Sequence, residues 1–237
     1  MIHRSRAATP TALQLAAAGA LLAGVLALLV VTVGVGALRV LAAVAVAVVA
    51  GALVARAARR AGAITLGAAG AVTLARGVLV MGAVTLVGRV EASAVLVGLA
   101  VVALALDAVD GPVARRTGTA SALGARLDVE FDAFLLVVLC VHVALTGGDW
   151  WVLAVGLLRY AFVAAGRVLP WLRGELPVRR SAKVVAAVQG VVLIVAAADV
   201  LPPVVERVAI AVALAALVWS FGVSVVWLWR GARRPVR

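Results

Sequence analysis

Between residues 107 and 132 the chain reads DAVDGPVARRTGTASALGARLDVEFD, and four aspartates fall in it at regular intervals. Asp107 and Asp110 are three residues apart, while Gly124, Asp128 and Asp132 are spaced by four. In helices those spacings put each set on one face, and Ala114 continues the first face by a turn. Gly118 offers a break, so the two stripes belong to adjacent antiparallel helices that can face each other. Gly111 and Gly124 remove bulk and allow close helix approach or entry of a large ligand. Facing carboxylates without counter-charge repel one another or take up protons. Two divalent cations would neutralise them, and hard cations prefer carboxylate oxygen. Paired metals recur in displacements at phosphorus. Magnesium usually binds through carboxylates plus substrate phosphates, so the stretch implies a phosphate- or diphosphate-bearing substrate. Isolated aspartates at helix ends are often interfacial anchors, but four at these spacings with two glycines are poorly explained that way. Glu130 lies off the stripe and is expected to be solvated or paired with Arg126.

The setting makes this charge conspicuous. Of ten acidic residues in 237, five lie in these 26 positions. Hydrophobic residues make up 66% of the chain, and mean hydropathy is +1.21. Soluble domains are about 45–50% apolar, so the fold class is all-α integral membrane, with little room for a soluble domain. Charges at membrane depth cost roughly 2.5–3.5 kcal/mol each on insertion scales and are usually functional. The net charge is +12, and Lys183 is the single lysine among 22 basic residues. No basic run is interleaved with aromatics, so nucleic acid is not expected as a partner; cytoplasmic loops and anionic membrane lipids are. Cys140 alone gives no disulfide framework. His3 reads as a solvated terminus and His142 as a helix–helix contact, too few for a histidine metal site.

Eight spans are expected: Leu13–Val33, Leu38–Ala55, Val72–Val87, Ala92–Leu106, Ala122–Leu145, Trp150–Leu169, Val184–Val200 and Val204–Trp229. Residues 61–77 are Gly-rich and less apolar, and read as an interfacial segment feeding the third span. Basic residues concentrate at both termini and after spans two, four and six, while the other loops hold only Arg39, Arg89 and Arg207. By the positive-inside rule both termini and the aspartate stretch are cytoplasmic.

The pattern Asp107-x-x-Asp110-Gly111-x-x-Ala114-Arg115, eight residues, Gly124-x-x-x-Asp128-x-x-x-Asp132 resembles the signature of the CDP-alcohol phosphotransferases, with every fixed position at the family spacing. The resemblance implies a six-helix catalytic core over 62–237, preceded by a two-helix N-terminal extension over 1–61. It implies transfer of a substituted phosphate, the phosphatidyl group, from a CDP-linked lipid donor to an alcohol or alcohol-phosphate acceptor, with release of CMP. It implies Asp107, Asp110 and Asp128 as metal ligands and Asp132 as ligand and base, around two magnesium ions, with manganese as the alternative. Gly111, Ala114, Arg115, Ser121 and Gly124 match positions near the CDP moiety. Gly70, Ala71, Val72, Thr73 and Arg76 match in part a second nucleotide-contacting element, with Val72 in place of its leucine and its usual Pro-Asn pair missing. Homodimers and a bacterial cytoplasmic membrane also follow from the resemblance.

The acceptor is read from a basic helix pair. Arg159 lies inside an apolar span, Arg167 follows on nearly the same face, and Arg179, Arg180 and Lys183 begin the next helix. Together they suit an anionic acceptor such as an alcohol phosphate. Two other classes use similar chemistry. Intramembrane prenyltransferases share magnesium and diphosphate but space their motifs differently and lack the Gly-x-x-Ala-Arg element. A cation transporter would use the carboxylates without catalysis.

Overall fold

The computed structural model describes residues 10–117, 121–174, 176–177 and 179–233, with the side chains of 108–117 and 180 outside the description. The described residues form α1 (Thr11–Val33), α2 (Ala37–Arg60), α3 (Gly67–Leu86), α4 (Ser93–Thr117), α5 (Ala122–Gly147), α6 (Leu153–Val168), α7 (Arg180–Ala197) and α8 (Pro203–Ala232). No strand occurs among them. Helices are what such a composition must form, because lipid offers no partner for an unpaired backbone N–H or C=O. Seven are long and apolar enough to cross a membrane, and α7 offers a shorter apolar stretch, Ser181–Ala197. The eight expected spans all appear. Gly118, the expected break between α4 and α5, lies outside the described residues.

One expectation changes. Residues 67–77 are not a separate interfacial segment but the first half of a continuous α3. Gly67, at φ 72°, makes the sharp entry, and its N–H takes the Thr65 hydroxyl oxygen at 3.1 Å. The glycines that lower the local hydropathy serve packing: α3 is the most buried of the spans, α1 and α2 the most exposed.

The chain divides into two compact units, Met1–Leu135 and Leu136–Arg237. In the first, α3 is the centre. Leu22 and Leu26 of α1 and Ala43 of α2 pack against Val78 and Met81 of α3. A second cluster joins Val54 and Ala58 of α2 to Leu66 and Leu74, with Leu123 and Leu127 of α5 packed against it. Gly77 makes room for the Phe131 ring of α5, since a Cβ there would meet that ring at 2.6 Å. In the second unit, the buried Gln189 amide donates to the Ala213 carbonyl at 2.8 Å and ties α7 to α8. Gly156 of α6 faces the Val137 backbone of α5. Cys140 and His142 are fully buried, as packing residues should be.

The α3–α5 approach is testable. Gly77→Ala should destabilise the protein by about 1–3 kcal/mol, the usual cost of overpacking, and adding Phe131→Leu should recover most of it. Thermal unfolding in detergent reads both; an unchanged midpoint in Gly77→Ala would show that the ring does not lie there.

Candidate active site

Arg76 stands in the middle of α3 and is 2% exposed. A guanidinium at that depth needs several acceptors at once. It finds them on two neighbouring helices. Its Nη1 pairs with Asp107 Oδ1 of α4 at 3.0 Å and with Asp128 Oδ1 of α5, and its Nη2 donates to Asp132 Oδ1. Its Nε donates to the Ala103 carbonyl of α4 at 3.1 Å. The i, i+4 spacing of Asp128 and Asp132 is what lets one planar fork reach both.

The two stripes read from the sequence therefore do converge. Oxygens of Asp107, Asp128 and Asp132 all lie within 4.8 Å of one another. Their side chains keep 30–41% exposure while Arg76 keeps almost none, so the guanidinium closes the cluster from one side and leaves the other open. One positive charge against three carboxylates leaves negative charge over. The donor set is entirely carboxylate oxygen, which suits a hard divalent cation and not a thiolate- or imidazole-seeking one. The residues present thus fit a divalent metal.

The other expected residues fall into three groups. Asp110, Gly111, Ala114 and Arg115 lie on α4, and their side chains lie outside the described residues, as does that of Arg180. Ser121 caps α5: its Oγ accepts from the Gly124 N–H at 2.9 Å, so the hydroxyl expected near a nucleotide also holds the helix that carries Asp128. Gly124 lies tight against that hydroxyl, a Cβ there falling 3.1 Å from it. Gly70 and Thr73 are buried within α3, the Thr73 hydroxyl donating to the Ala69 carbonyl at 3.1 Å, while Ala71 is exposed and Val72 half-buried. Arg159 and Arg167 lie on α6 and Lys183 on α7, in the second unit, with Arg167 and Lys183 exposed. Arg179 donates to the Ser220 carbonyl at 3.0 Å and the Ser224 hydroxyl at 2.8 Å, which makes it a brace between the start of α7 and α8.

Sequence reasoning placed Arg76 beside a nucleotide and missed its ion pairs with the aspartates. The available signal was its position, a lone cation inside a 20-residue apolar helix.

A family model described as CDP-alcohol phosphatidyltransferase matches residues 66–222. No curated protein and no solved structure matches the chain.

Arg76→Met should destabilise the metal-free protein by about 3–5 kcal/mol, because three clustered carboxylates lose their cation. Asp132→Asn added to it should return part of that loss, with a coupling of about 0.5–3 kcal/mol. Thermal unfolding in detergent with chelator gives both numbers, and strictly additive losses would sink the ion-pair assignment.

Proposed function

The chain belongs to the CDP-alcohol phosphatidyltransferase family, and on that premise we propose that it transfers a phosphatidyl group from a CDP-linked lipid donor such as CDP-diacylglycerol to an alcohol or alcohol-phosphate acceptor, in phospholipid synthesis. The observation that carries the reading is the convergence of Asp107, Asp128 and Asp132 from α4 and α5 onto one point. The catalytic core is taken as residues 62–237, consistent with the matched segment.

In the reaction, the acceptor oxygen attacks the phosphorus that bears the diacylglycerol. The new O–P bond forms as the P–O bond to CMP breaks, and CMP leaves with the bond's electron pair. The hydroxyl proton passes to the Asp132 carboxylate, the acidic residue furthest along the α5 stripe. Asp107, Asp110, Asp128 and Asp132 would hold two divalent cations, magnesium or manganese, which supply charge stabilisation at the donor's diphosphate. Arg115 and Arg76 add positive charge on the protein side. Gly70, Ala71, Val72, Thr73, Gly111, Ala114, Ser121 and Gly124 line the nucleotide's place. Positioning and electrostatics carry most of the acceleration in transfers of this kind.

Arg159, Arg167, Arg179, Arg180 and Lys183 are assigned to an anionic acceptor, Arg159 foremost because it lies inside an apolar helix. The positive-inside distribution supports a cytoplasmic site with both termini on that side, in a bacterial cytoplasmic membrane with anionic lipids around it. A homodimer is part of the same family-based reading.

Purified protein with CDP-diacylglycerol and a panel of alcohols and alcohol phosphates should release CMP only with magnesium or manganese. Absence of metal-dependent release across the panel would overturn the transferase reading. Asp128→Asn should abolish turnover while leaving the helical circular-dichroism spectrum intact. Arg159→Ala should raise the acceptor's KM about tenfold, a loss of about 1.4 kcal/mol, with the donor's KM unmoved; equal rises would remove Arg159 from the acceptor site.

A further inference from the structure

Residues before Leu66 lie outside the family match, yet they hold α3 at both ends. At its start, Gln14 of α1 makes a paired contact. Its Oε1 accepts from the Leu66 N–H at 2.9 Å, and its Nε2 donates to the Gly67 carbonyl at 3.0 Å. Thr11 adds a backbone N–H to the Ile64 carbonyl at 2.8 Å, and its hydroxyl donates to the same carbonyl at 3.0 Å. At the other end of α3, the Arg39 guanidinium of α2 donates to the Val87 carbonyl and to the Thr85 carbonyl at 3.3 Å. Arg89, just past α3, donates back to the Val33 carbonyl at 3.2 Å. Between the ends, the second apolar cluster runs from α1 and α2 through Leu66 and Leu74 to Leu127, the residue before Asp128.

The bonds to the Thr85, Val87 and Val33 carbonyls satisfy groups at helix C-terminal ends that a membrane would otherwise leave without partners, and those of Gln14 and Thr11 hold the chain where it enters α3. The hydrogen bonds are directional, so they fix α3 along its own axis and in rotation, which apolar packing alone does loosely. Arg76 must reach three carboxylates with one rigid fork, and a shift of α3 by one residue would turn it away. We propose that the α1–α2 hairpin is a positioning brace for the active site, with Gln14 as its positioning residue, setting the axial position of α3 and hence of Arg76 and the donor-contacting residues near it. The proposal rests on the transferase reading for its substrate, but the brace itself rests on the contacts of α1 and α2 with the ends of α3.

Gln14→Met keeps the side-chain length and removes both hydrogen bonds. Two measurements separate positioning from bulk stability. In turnover with CDP-diacylglycerol, Gln14→Met should raise the donor's KM about tenfold with kcat and acceptor KM little changed. Combined with Arg76→Lys it should add little to the single Arg76→Lys effect, because both act on one arrangement. In paramagnetic titration of Mn2+, which needs no turnover, Gln14→Met should weaken affinity about tenfold, because the carboxylates are no longer drawn together by a fixed Arg76. Leu13→Ala, an exposed neighbour on α1, should change neither quantity. If Gln14→Met does not fold, Thr11→Val should give a smaller shift in the same direction. Unchanged donor KM and Mn2+ affinity, or effects fully additive with Arg76→Lys, would overturn the brace. Wild-type protein that binds Mn2+ at these aspartates but releases no CMP would overturn the transferase reading alone, with the Mn2+ comparison still deciding Gln14.

Discussion

The structure turns on one ion-pair cluster: a single buried guanidinium facing three half-exposed carboxylates. The aspartates are needed together for chemistry, and together they repel. On the side turned into the helix bundle no water can dilute that repulsion, so it is answered with charge. Arg76 is the fixed part of that answer. It is also incomplete by design of charge, since one cation among three carboxylates leaves room for more positive charge on the open side. A divalent metal and a cationic side chain therefore share the same electrostatic task from opposite directions.

That arrangement dictates which helix is central. α3 carries no aspartate, yet it is the most buried of the spans and packs against α1, α2 and α4. Glycine at position 77, next to Arg76, leaves room for the Phe131 ring on the helix whose Asp128 and Asp132 meet the fork. Energetics and function thus coincide in α3. Its packing residues set how near the carboxylates come, and its polar residue sets where they meet. The N-terminal hairpin, which contributes no chemical group, matters because the α3 cap residues, Leu66 and Val87, make no side-chain cap bond, and the Thr65 hydroxyl on the Gly67 N–H holds only its start. The partners for its ends come from α1, α2 and the residues after α3.

Much of this was legible in the residue pattern. Long Ala, Val and Leu runs allow only helices in lipid, so all eight α-helices fall on the expected spans. The aspartate stripes follow from the 3.6-residue period, and Asp107, Asp128 and Asp132 do converge. What escaped were single polar residues inside apolar runs. Gln14 lies in a stretch whose average hydropathy hides it, although it makes two hydrogen bonds that no apolar residue could make. Residues 61–77 looked interfacial because glycine lowers hydropathy, but glycine there serves close packing and one sharp entry at Gly67. Composition averages over the residues that decide geometry. Arg76 was noticed yet assigned outward to a ligand, since nothing in the spacing shows that a partner 31 residues on and another 52 on fold back against it.

The same logic explains why α1 and α2 can be at once the most exposed spans and still bear on the site. Lipid-facing surface contributes nothing to specificity, because tails are as apolar as leucine. What specifies position between two membrane helices is therefore carried by the few directional contacts they make. Thr11, Gln14, Arg39 and Arg89 supply such contacts, and all of them bear on backbone groups at the ends of the helix that holds Arg76 or of the hairpin beside it. Thus an outer hairpin that buries little of itself can still fix the central helix, because its hydrogen bonds sit at that helix's two ends.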